Sequence, residues 1–134
     1  MLDYGCIQSL TSRCVSGGHS MFDGSYAAEM AEFIYQFLPG DRPELMTDMS
    51  AWTPADEAIS QAHYERLVAG SETGRVILAG RSQDGIGPAV VIFRAESEEE
   101  ARRFMEEDPF VADGLFRASL HPFRAALVEG RPAP

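Results

Sequence analysis

Two polar side chains stand where the apolar period of their segments favours carbon. His63 lies four residues after Ile59 and four before Leu67, so a helix through this stretch lines it up with both. Asp108 follows Ala101, Phe104 and Met105 at the next place of an i, i+3, i+4, i+7 series. A carboxylate that continues a core-facing stripe is costly to bury unless it is paired or hydrogen-bonded. Its neighbours Glu99, Glu106 and Glu107 fall on the solvent side of the same segment and need no such account. If the two intruders meet, Asp108 orients one imidazole nitrogen and leaves the other free as a base, the usual construction for proton transfer near neutral pH. Spacing alone also admits structural roles for both. One is a satisfied core histidine, and the other a helix-end carboxylate accepting N–H groups from the turn Asp108-Pro109-Phe110. His121 offers a further alternative, a two-His, one-carboxylate metal set. No serine or cysteine beside them carries a nucleophile signature, which favours proton transfer over acyl transfer.

The elements that must position these residues follow from period and punctuation. Residues 32–38 alternate, with Phe33, Tyr35 and Phe37 on one face, and Pro39-Gly40 ends that strand. In the right register these three aromatic rings would wall a cleft. A polar loop with Pro43 and Trp52 follows, long enough to cover something. Thr53-Pro54-Ala55-Asp56 opens a helix expected to run to Ala69, with Gly70 and Gly74 at its exit. Residues 76–79 form a short buried strand, 80–87 a glycine-bearing turn and 89–94 the next strand, an antiparallel hairpin. Ser97 to Glu100 is a second capping box, and Pro109 stops the helix it opens. Residues 115–120 read as a strand that Pro122 bends toward a last piece at 123–128.

The order β-α-β-β-α-β predicts an α+β, ferredoxin-like fold: a four-stranded antiparallel sheet with both helices on one face. Apolar residues lie on both faces of these strands (Phe33 and Ile34, Val91 and Ile92), so the uncovered face wants a partner. A second copy of the chain is the simplest one, which predicts a homodimer through that face.

Composition bounds the rest. The chain has 134 residues and a formal net charge of −10, and all 11 of its basic residues other than histidine are arginine. The absence of lysine excludes Schiff-base lysine chemistry and the phosphate-loop lysine. The acidic balance argues against nucleic-acid binding, which draws on a basic footprint. No apolar run of about 18 residues exists to span a membrane. With no secretory pattern at the start and two cysteines, too few for a disulfide framework, the expected location is the cytoplasm. Residues 1–29 lack a clear period and are expected to be an extension, poorly ordered or an interface arm, with Met30 a candidate start of the compact domain. Residues 30–130 would form that domain and 131–134 a tail. Cys6, Cys14 and His19 lack a CxxC pair, which leaves both metal binding and redox work there without a recognisable motif.

From Met30 to about Gly130 the chain resembles the YciI-like (YCII-related) family of small bacterial proteins. The likeness runs through AEFIYQFLPGDRP, AHYERLVAGSETGRVILAG and AESEEEARRFMEEDPFVADGLFRASLHPF. The helix histidine, the AG turn after the second strand, the S-x-E-E-A helix start and the DPF turn are characteristic together. The resemblance implies a dimeric α/β barrel of ferredoxin-like subunits and a His–Asp pair at His63 and Asp108. It also puts Gly80, Pro109 and Phe110 on the family's AG and DPF positions. Arg81 stands where a proline commonly follows AG, a departure that bears on pocket shape and substrate charge.

These readings converge on a cofactor-independent lyase or isomerase acting on a small metabolite, cyclic or aromatic. His63 and Asp108 would be catalytic; Tyr35, Gly80, Arg81, Pro109 and Phe110 would contact the substrate. No metal or other cofactor is expected. The alternative is a non-enzymatic ligand-binding or protein-interaction module on the same fold.

Overall fold

The computed structural model of the protein describes residues 30–132. The expectations for residues 1–29, including those on Cys6, Cys14 and His19, lie outside the described residues.

Alternation along residues 31–39 builds β1 (Ala31–Pro39), with Phe33, Tyr35 and Phe37 buried on one face. It lies inside a sheet with β2 (Val76–Arg81), β3 (Ala89–Ala95) and β4 (Phe116–Phe123), in the order β2-β3-β1-β4 and antiparallel throughout. Directly opposed residues of antiparallel strands share a face. The pairs Phe33↔Phe93 and Tyr35↔Val91 therefore continue one buried surface across the centre of the sheet. This is the expected ferredoxin-like α+β arrangement.

The helices cover that surface. In α1 (Pro54–Glu72), the capping box is reciprocal: the Thr53 hydroxyl accepts from the Asp56 N–H, and the Asp56 carboxylate accepts from the Thr53 N–H. The helix continues through Gly70, past the expected end, because Gly74 with φ 84° is what turns the chain out. In α2 (Glu98–Glu106), Ala101, Phe104 and Met105 are buried, and the Phe104 ring stacks on Phe93 at 4.6 Å between centroids. Its start is only half a capping box. Ser97 accepts from the Glu100 N–H, but the Glu100 side chain accepts from the Glu96 N–H instead of closing back on Ser97.

Three other expectations are corrected. β2 runs to Arg81 and is mostly exposed beyond Val76, because it is an edge strand that α1 covers only in part. β4 runs straight through Pro122, which pairs with Phe33; as an edge strand it has no outer neighbour needing the missing N–H. The last piece is a small hairpin of β5 (Leu127–Val128) and β6 (Arg131–Pro132). The loop before α1 holds two short 3-10 turns, Pro43–Met46 and Met49–Ala51, which bury Leu45 and bring Trp52 against the core. Among the described residues, no helix is long and apolar enough to cross a membrane.

Candidate active site

The site is built where α1 passes the end of α2. Asp108 is not a further residue of α2, whose last helical residue is Glu106. It is the N-cap of a separate short helix, α3 (Pro109–Ala112), and its extended backbone turns the side chain inward. Pro109 makes this possible, since the residue before a proline is pushed out of helical geometry while proline itself suits a first helical position. The stripe spacing thus pointed to the right carboxylate by the wrong geometry. The turn reading of Asp108 and the pairing reading both describe it: Oδ1 accepts from the Phe110 N–H at 2.9 Å and faces His63 at 2.8 Å.

The Asp108 side chain is fully buried and meets three donor groups. Besides the Phe110 N–H, it receives the Tyr35 hydroxyl at 2.6 Å from Oδ2. His63 Nδ1 lies 2.8 and 3.0 Å from the two carboxylate oxygens. A carboxylate can only accept, so Nδ1 carries the hydrogen of this contact, and in the neutral ring Nε2 then keeps its lone pair. Burial pushes the Asp108 carboxyl up, but the bonds from His63 and Tyr35, the His63 charge and the Phe110 N–H outweigh it and hold it below the usual carboxylate range. Burial, followed by the charge and hydrogen bond of Asp108, drives the Tyr35 phenol well above its ordinary value, and the nearby Arg66 works in the opposite sense. Tyr35 is therefore a permanent donor.

The imidazole is held by rings as well as by the carboxylate. Phe110 stacks on it at 4.1 Å and 29°, and Phe37 meets it edge-on at 5.5 Å. Its side chain keeps 14% exposure. That opening faces a cleft of about 810 Å³ bordered by His63, Phe37, Trp52, Tyr64, Phe110 and the outer strand β2. With Nδ1 bound to Asp108, Nε2 is the ring nitrogen left to the cleft.

The structure sorts the other expected residues. Gly80, Arg81 and Phe110 border the cleft. Tyr35 does not: it is completely buried, its hydroxyl ends on Asp108, and its place is behind the pair and not against a ligand. Of the three aromatic residues expected to wall the cleft, only Phe37 does so; Phe33 and Tyr35 lie deeper in the core. Pro109 does not border it either and opens α3. His121 pairs with Ile34, one step out of phase with Tyr35, and so stands on the opposite face of the sheet, away from His63 and Asp108. The metal set drawn through it is thereby broken, and among the described residues no group of three metal-ligating side chains forms.

Sequence reasoning missed two contributors. Trp52 reaches the cleft because its indole N–H is tied to the Leu45 carbonyl at 3.0 Å. Tyr35 as a donor to Asp108 had one signal, a hydroxyl at the centre of an otherwise apolar strand face.

Comparison with known proteins gives a family and a fold neighbour. The family model described as YCII-related domain matches residues 41–123, well over half the chain. Among solved structures, the chain is similar to 5-chloro-2-hydroxyhydroquinone dehydrochlorinase from Burkholderia phenoliruptrix AC1100 in complex with 2,5-dihydroxybenzoquinone. The identity is 24% and the TM-score 0.46, over 69% of this chain and 93% of that one. No curated protein matches the chain.

Proposed function

The chain belongs to the YCII-related domain family, and from that premise and the geometry of the cleft we propose that it is an enzyme that moves a proton on a small organic molecule. The observation that carries this reading is the 2.8 Å contact of His63 Nδ1 with a buried, hydrogen-bonded Asp108, at the wall of a cleft.

His63 Nε2 takes the proton from a carbon or hydroxyl acid bound in the cleft. Asp108 holds the tautomer and stabilises the imidazolium that forms, without itself becoming protonated. The stacked Phe110 and edge-on Phe37 fix the ring plane, so little reorganisation accompanies the transfer. The imidazolium then returns the proton to a different atom in an isomerisation, or to a departing group in a lyase reaction. Neither course requires a cofactor. The expected ligand contacts are Gly80, Arg81 and Phe110. The assembly we propose is a homodimer through the open face of the sheet, where Ile34 and Ile92 lie half-buried and Leu38 and Leu78 exposed.

Solvent exchange tests the chemistry without a known product. Small cyclic ketones, enols and lactones are incubated with the protein in D2O and followed by proton NMR. Exchange at a carbon acid by the native chain is expected to fall by about 10²–10⁴ in His63→Ala, the usual range for a general base. Asp108→Asn is expected to lose much of the rate while keeping the fold. A His63→Ala protein that exchanges as fast as the native one defeats the reading and favours a non-enzymatic binding module.

A further inference from the structure

One cross-strand row on the floor of the cleft ends in a cation. Gln36 opposes Val90 as the last pair of the β1–β3 ladder; one residue further along the two strands stand Phe37 and Ala89, and Ala89 pairs in turn with Arg81. Directly opposed residues share a face, so the three side chains Phe37, Ala89 and Arg81 all rise on the helix-covered side, where His63 lies. Neighbouring strands are about 4.8 Å apart, so the Arg81 backbone stands about 10 Å across the sheet from that of Phe37. The Phe37 ring in turn lies 5.5 Å from the imidazole. Ala89, the middle member, is the smallest chiral side chain and leaves the space above it open.

Arg81 is also uncommitted. Most other described arginines hold a carboxylate or a carbonyl, as Arg42 holds Asp56 and Arg117 holds Asp41, while Arg124, outside the cleft lining, likewise has no partner among the described residues. The Arg81 guanidinium makes no hydrogen bond or ion pair with any described residue, although the chain carries a surplus of 10 negative charges. Among the described residues, the charged side chains bordering the cleft are Arg81 and Glu57. One cation and one anion across an apolar, aromatic-walled space suit a ligand carrying a single negative charge, since a second would meet Glu57 or find no partner.

We infer that the cleft takes a ring-sized organic monoanion, its apolar body over Ala89 beside Phe37 and its carboxylate on the Arg81 guanidinium. This deepens the proton-transfer reading and rests on it for the assignment of the bound molecule as a substrate. A guanidinium at that distance anchors one end of the molecule and delivers the other end to His63.

Trp52 is the only tryptophan and borders the cleft, so its fluorescence reports occupancy directly. Titration with benzoate and with benzamide, which differ chiefly in charge, separates the anion contact from ring burial. The native protein is expected to bind benzoate about fivefold more tightly than benzamide, the scale of a partly exposed charge pair. In Arg81→Gln that preference should vanish through loss of benzoate affinity, with benzamide binding unchanged. Equal affinities in the native protein, a preference that survives Arg81→Gln, or no binding of either probe would overturn the inference. The readout needs no turnover, so it is separable from the exchange assay. His63→Asn should abolish exchange and retain the benzoate preference. A preference removed by Arg81→Gln, alongside exchange that persists in His63→Asn, would uphold the anion site and refute the dyad.

Discussion

At the scale of single residues, the site turns on how Asp108 stays ionised inside the protein. Three donors from three elements reach it: the Tyr35 hydroxyl from β1, His63 from α1 and the Phe110 N–H from α3. Removing one donor leaves the charge less compensated without leaving it bare. Tyr35→Phe is therefore expected to cost about 1.5–3 kcal/mol, the range for a hydrogen bond to a charged group. It should appear as a lower urea midpoint at unchanged slope. The same variant should weaken exchange by allowing Asp108 to reorient, while benzamide binding stays as it was. Full exchange activity in Tyr35→Phe would reduce the phenol to a packing role. His63 and Asp108 were legible in the sequence because each breaks an apolar period. The hydroxyl of Tyr35 was not singled out as their partner, because tyrosine is at home in a strand and its target lies 73 residues away.

At the scale of elements, the start of α1 and the break between α2 and α3 fix where the pair meets. The Asp56 carboxylate serves twice, closing the capping box and gripping Arg42 through two contacts of 2.6 and 3.0 Å. Its hydrogen bonds to Arg42, with the Thr53 N–H next, hold its pKa down at about 2. An unfolded aspartate titrates near 3.9. A carboxylate depressed on folding stabilises the native state above its unfolded value and loses that contribution as pH falls through its folded value. The melting temperature should therefore decline between about pH 4 and pH 2, with Asp108 adding in the same sense. Asp56→Asn should start from a lower melting temperature and show a shallower acid decline. An identical decline in that variant would assign the acid sensitivity elsewhere. The capping signal at Thr53 was plain in the sequence because caps are local. The end of α2 was misplaced because Asp108 carries on its apolar phase, and only Pro109 marks the exit.

At the scale of the whole molecule, the helices lie on one face of the sheet, and among the described residues no helix covers the other. Leu78 is 52% exposed and Phe123 38%, with Ile34 and Ile92 half-buried between them. If that face pairs with a second copy, Ile92→Glu should give the mass of a single chain by light scattering, because a charge at a sheet–sheet contact finds no solvent. His63 and Asp108 lie on the opposite face, so benzoate titration should still show an intact cleft. A native protein that scatters as one chain would instead remove the dimer from the account. The two-layer order was readable from strand and helix periods, since each element's burial is imposed by its own repeat. The register was not, and it carries Arg81 to the end of the Phe37–Ala89 row and His121 to the opposite face.

The sequence by itself determined the α+β order, the absence of lysine chemistry, the out-of-period histidine and carboxylate, and the family to which the DPF and AG turns point. Those are properties of local spacing and side-chain type, which the chain carries whether folded or not. Only the tertiary structure decided that Tyr35 stands behind Asp108 instead of in the cleft. It also turned Asp108 inward as a cap and not as a helix residue, and gave Trp52 and Arg81 to the cleft while denying it Pro109. The reason is that contacts between elements depend on strand register, on the backbone turn ahead of Pro109 and on which groups remain unpaired after packing, and none of these is set by neighbours along the chain.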